Sequence, residues 1–96
     1  LLYGGIMKYK LYDAKKLHDG LNKLTGTDFA KAERDARERG EQAVDIVISR
    51  TFHAILAAKV FSVPPEDVIA LPIREYTVIT GDVGSFLLAP EQNVEV

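Results

Sequence analysis

The sequence predicts a mainly α protein of one small domain. It has a long central helix over about residues 41–62, a surface helix over about 28–39, and C-terminal helices over about 65–71 and 73–88. Three observations carry this reading. Val44, Val47, Ile48, Phe52, Ile55, Leu56 and Val60 recur at the three-and-four spacing of one helical face. Between Lys31 and Arg39, charges of opposite sign repeat four residues apart. Prolines at 64, 65, 72 and 90 fall between apolar periodic stretches, where a missing amide hydrogen does least harm. A chain of 96 residues supports one core, not two.

The first residues are the least patterned. "LLYGGI", residues 1–6, admits reading as an appended remnant ahead of a start at Met7, the only methionine. "KYKLYDA", residues 8–14, alternates well enough for a short strand, with Tyr9 and Leu11 on one side and Lys8, Lys10 and Tyr12 on the other. Ala14, Leu17, Leu21 and Leu24 then sit at helical spacing, with Asp13 as a candidate N-cap and Gly26 just past the end. Gly20 costs that helix about 1 kcal/mol relative to alanine.

The surface helix has Thr27 as its expected cap, Asp28 at the positive end of its dipole and Gly40 at C′. Lys31–Asp35, Glu33–Arg37, Arg34–Glu38 and Asp35–Arg39 are its ion-pair candidates. Phe29, Ala32 and Ala36 make only a narrow apolar stripe, so Phe29 is the expected anchor. The central helix adds Ala43, Ile46, Ala54, Ala57, Ala58 and Phe61 to its stripe, a width that requires more than one neighbour. After Pro64 and Pro65, the acidic pair Glu66-Asp67 suits a first helical turn, and Val68, Ile69 and Leu71 are expected to point inward.

Residues 74–88, "REYTVITGDVGSFLL", read two ways. As a hairpin, "YTVIT" and "VGSFLL" would flank Gly81-Asp82. As a helix, Ile73, Tyr76, Ile79, Val83, Phe86 and Leu87 form one stripe, and Gly84 would permit close approach to the central helix. "PEQNVEV", from Pro90, reads as a loose tail, acidic over residues 91–96.

Composition narrows function. There is no cysteine, so disulfides and thiolate metal sites are excluded. No stretch approaches the roughly 18 uninterrupted apolar residues of a membrane span, and no signal-peptide order is present, so a cytoplasmic protein with no membrane partner is expected. The five lysines and two aspartates of residues 1–25 make that end basic. Residues 60–96 set Arg74 alone against Glu66, Asp67, Glu75, Asp82, Glu91 and Glu95. This gradient is compatible with homo-oligomerisation head to tail. A chain of net charge −2 lacks the basic face that phosphate neutralisation needs, so no nucleic acid is expected. His18 and His53 fall in no nucleophile–base or metal-ligand motif, and "GDVGS" lacks the lysine of a phosphate loop. No catalytic residue, metal ligand or cofactor site is assigned, and the protein is expected not to be an enzyme.

Two stretches carry a resemblance. "TGTDFAKAERDARERG" is similar to the Thr-Gly-x-Asp-hydrophobic opening and charged helix of phage tail assembly chaperones. "TFHAILAAKVFSVPPEDVIALPIREYTVITGDVGSFLL" resembles their second half, through Ala57-Ala58-Lys59, Val63 to Val68, Leu71 to Tyr76 and Phe86 to Leu88. "YKLYDAKKLHDGLNKL", residues 9–24, departs from the family's longer, strand-like N-terminal stretch. The resemblance favours helix for residues 72–88. It implies a non-enzymatic chaperone of the infected bacterial cytoplasm that binds the tape measure protein and keeps it soluble while tail tube protein assembles around it. Such a chaperone is absent from the finished virion, and its longer form often arises by frameshifting. On that basis Tyr76, Phe86, Leu87 and Leu88 are the candidate partner or self-assembly contacts. The competing readings are a structural head–tail or tail subunit and a small helical DNA-binding regulator using Arg34, Arg37 and Arg39. In the latter, Glu33, Asp35, Glu38 and Glu41 interrupt the basic face.

Overall fold

The computed structural model describes residues 13–89. The strand expected over residues 8–14 and the acidic tail of residues 91–96 lie wholly or almost wholly outside that range, as do residues 1–6. Five α-helices and one 3₁₀ turn follow one another: α1 (Ala14–Asn22), α2 (Gly26–Glu38), the turn Ile46–Ile48, α3 (Arg50–Phe61), α4 (Pro65–Ile69) and α5 (Ile73–Leu88). Among the described residues there is no strand. Residues 74–88 are therefore helix, not hairpin.

Each helix begins and ends on local chemistry. The Asp13 carboxylate accepts from the amides of Lys15 and Lys16, as expected of its N-cap position. α2 starts two residues before Asp28, because Thr25 and not Thr27 is its cap. The Thr25 hydroxyl accepts from the Asp28 amide, and the Asp28 carboxylate accepts from the Thr25 amide at 2.9 Å. This capping box takes Gly26 into the first turn of α2, so it does not terminate α1. Gly40 closes α2 at φ 103°, with its own amide donating to Arg37 and that of Glu41 to Ala36. This is a Schellman closure, and the left-handed backbone is where glycine carries no Cβ penalty. α3 closes in the same way at Ser62, with Val63 donating to Ala58, but there a serine occupies the left-handed position at φ 59°.

The central helix is shorter than the periodicity implies. It spans Arg50–Phe61, not 41–62. Residues 41–45 are non-helical, and Ser49 starts a new helix with its hydroxyl accepting from the Phe52 amide at 3.1 Å. The run Val44, Ile46, Val47, Ile48 is β-branched and loses side-chain freedom in a helix. The Asp45 carboxylate also competes for the Val47 amide at 3.0 Å. As a consequence Val44 is fully exposed and Ile48 largely so.

α3 is the axis of the fold. Phe52 through Ala58 are buried without a break, and this helix touches α1, α2, α4, α5 and the 3₁₀ turn. A helix apolar on every side has to be enclosed on every side. α2 meets it through Ala32 and Ala36, both buried, as well as through Phe29, whose ring stands edge-on to Phe52 at 4.8 Å. The alanines thus bring α2 close, and Phe29 is not its sole anchor. α4 contributes Val68, and Leu71 follows it into the core, while Ile69 points outward, contrary to the inward orientation expected of it. α5 contributes Ile79 and Val83 at full burial. Ile73, expected on the same stripe, stays exposed at the first position of α5.

Candidate docking surface

The four residues singled out for partner contact do not share one environment. Tyr76, Phe86 and Leu87 are half-buried and packed against the core. The Phe86 ring meets His18 of α1 edge-on at 4.9 Å, and burial pushes the Tyr76 phenol above its ordinary range. Leu88 alone of the four is exposed, at 56%. It lies with Gly81 and Gly84 on a flank of α5 rotated away from Ile79 and Val83.

That flank forms one wall of an open groove. The opposite wall is Ile48 and Arg50, and Thr80, Gly81, Gly84, Ser85, Leu88, Ala89 and the edge of His53 complete its lining. Arg50 donates to the Thr80 hydroxyl oxygen at 2.8 Å, and that hydroxyl donates to the Tyr76 carbonyl at 2.8 Å. The fully buried Thr80 is thereby satisfied, and the guanidinium is fixed at one end of the groove. His53 is buried. Its Nε2 donates to the Val47 carbonyl, so Nδ1 carries the lone pair. Nδ1 has no hydrogen-bond partner among the described residues. Burial holds the imidazole below its ordinary pKa, the adjacent Arg50 charge adds to that depression, and the bond to Val47 opposes it.

The Ile48 wall is held from α2. Arg37 donates to the carbonyls of Glu41 at 3.2 Å and Ala43 at 2.6 Å. Glu41 accepts from the Ala43 amide at 2.9 Å and from the Ser49 hydroxyl at 2.6 Å. These bonds hold the Glu41 carboxyl below its usual range, the Ser49 bond contributing most. Of the four ion pairs expected along α2, Glu33–Arg37 closes at 3.4 Å and Asp35–Arg39 at 2.7 Å. Arg39 also reaches Glu66 of α4 at 2.9 Å, a link between helices that spacing within α2 could not show. Arg37 and Arg39 are thus turned to carboxylates and carbonyls of the same chain.

Sequence reasoning missed the groove because it placed Val44 and Ile48 on a buried helical face. A signal was present: Ser49 and Asp45 are both good caps, and each precedes its amide donor by a capping interval.

Among the described residues no group of three or more His, Cys, Asp or Glu side chains could hold a metal ion, and no helix is long and apolar enough to cross a membrane. Comparison with family models, with curated proteins and with solved structures finds no match.

Proposed function

We propose that the chain is a non-enzymatic assembly chaperone for a phage tape measure protein. It would act in the cytoplasm of the infected bacterium, be absent from the mature virion, and pass its client to tail tube protein. The observation that carries the reading is a small helical domain displaying large apolar side chains at its surface: Val44, Ile48, Ile69, Ile73, Val78 and Leu88. Where such groups form a contiguous patch, they mark a surface for a partner or a second copy of the chain. Reversible masking of an apolar client asks for this kind of open surface and not for an enclosed pocket. The ordered similarity of residues 25–88 to tail assembly chaperones supplies the identity of the client. Exposed Leu88, with half-buried Phe86 and Leu87 next to it and Tyr76 further along α5, is the proposed contact.

The test is co-expression with the product of the long open reading frame downstream, read by pull-down and by the soluble fraction of that product. A partner that co-purifies, and is soluble only with this chain, supports the proposal. A partner equally soluble alone overturns it. Detection of the chain in purified particles would favour the structural-subunit reading. Phe86→Ser together with Leu88→Ser should abolish co-purification while helicity is retained; undiminished binding would remove these contacts.

A further inference from the structure

We infer that the groove between Ile48 and Leu88 docks an amphipathic helix whose apolar face carries one carboxylate, seated on Arg50. The walls carry apolar groups, since Ile48 and Leu88 both line the groove and are each more than half exposed. The floor on the α5 side has no side chains at Gly81 and Gly84, and space for a Cβ on Gly81 is entirely open. Two glycines alone would show only that α5 has a smooth flank. The floor also holds the His53 imidazole, 5% exposed, whose Nδ1 acceptor has no hydrogen-bond partner among the described residues. Nδ1 itself is closed off beside Gly84, so the base of the groove is sealed and the polar group it offers to an occupant is Arg50.

Charge selects the occupant. Among the described residues that line the groove, Arg50 is the one charged side chain and there is no carboxylate. One guanidinium nitrogen is engaged by Thr80, which fixes the group and leaves its remaining donors for a planar carboxylate. Geometry selects a helix over an extended peptide. An added strand needs unpaired backbone groups along an edge, whereas α3 and α5 satisfy theirs internally. The occupant has to bring a backbone already bonded to itself, with side chains at helical spacing to meet Ile48 and Leu88. This inference stands on the groove and not on the chaperone reading. A chain that binds such a helix yet fails to solubilise the tape measure protein would lose the first reading and keep this one.

The experiment is a titration of the whole 15N-labelled chain with a stapled leucine–alanine helix of about 16 residues, the length of α5. One version bears a central glutamate and its twin a glutamine. The glutamate helix is expected to move the amide signals of Ile48, Gly81 and Gly84, and to bind about fivefold tighter than the twin. Arg50→Gln should erase that difference, and Arg50→Lys should restore part of it. Equal affinity of the two helices, no binding, or shifts confined to the Ile69–Ile73 side would each overturn the inference. The twin-peptide comparison uses the unaltered protein, so it stands even if an Arg50 variant fails to fold.

Discussion

A Cβ built on Gly84 of α5 would stand 3.0 Å from Cε1 of His53 on α3. The imidazole cannot easily withdraw, because Nε2 is bonded to the Val47 carbonyl and the residue is buried. Three separate choices in the sequence thus meet at one point: a glycine in α5, a histidine in α3, and a carbonyl in the turn before α3. Neighbouring Gly81 meets nothing within 4 Å.

The two glycines should respond oppositely to the same substitution. Gly81→Ala is expected to stabilise by up to about 1 kcal/mol, through helix propensity and a less flexible unfolded chain. Gly84→Ala gains the same propensity but overpacks His53 at a cost of about 1–3 kcal/mol, so it should be neutral to destabilising. Urea unfolding of both variants decides it. Equal gains would mean that His53 moves aside freely.

Gly20 of α1 makes a second close approach, against Val60 of α3, where an added Cβ would overlap the valine Cγ1. Valine is branched at Cβ and cannot swing its methyl aside without changing rotamer. Gly20→Ala should destabilise despite the better helix former, and Val60→Ala in the same chain should recover much of the loss. A double-mutant cycle with no coupling would contradict this contact.

Arg37 pins residues 41–43, and through them the Ile48 wall. Its removal as Arg37→Ala forfeits bonds to two carbonyls and should cost about 1 kcal/mol. The more specific expectation is local. Amide exchange at Val47 and Ser49 should accelerate, while exchange in Ala54–Ala58 follows only the global change. Uniform acceleration would show that the segment is not separately held.

Protonation of His53 is disfavoured by burial, so its folded pKa lies below the ordinary value of 6.5. The unfolded state then binds more protons between the two values. Stability contributed by neutral His53 is complete above pH 6.5 and falls as the pH drops through that value toward the folded pKa. Asp28, Glu41 and Glu66 have lowered carboxyl values, and their losses begin lower, near and below pH 4.5. Urea midpoints should decline between pH 7 and 5, and His53→Gln should flatten that decline. A slope unchanged in the variant would assign it elsewhere.

What the sequence determined by itself was whatever depends on neighbours along the chain. Asp13, Gly40 and the Pro64-Pro65 step mark helix limits through bonds that span only a few residues, and the stripe Ile79–Val83 appears in the order of the letters. The Thr-Gly-x-Asp stretch is of the same kind: in the fold it is a capping box, a local device for starting a helix. The tertiary structure, together with the local caps Asp45 and Ser49, decided where residues 41–49 turn. Apolar periodicity continued through Val44, Val47 and Ile48, but the bonds that hold the break come from Arg37 on another element. It also decided which apolar groups were left over. Ile69, Ile73 and Leu88 are as apolar as Val68, Ile79 and Val83, yet the packing of the helices buries only the latter three. Helical pattern records that a face is apolar; the placement of the neighbouring helices decides whether that face is covered.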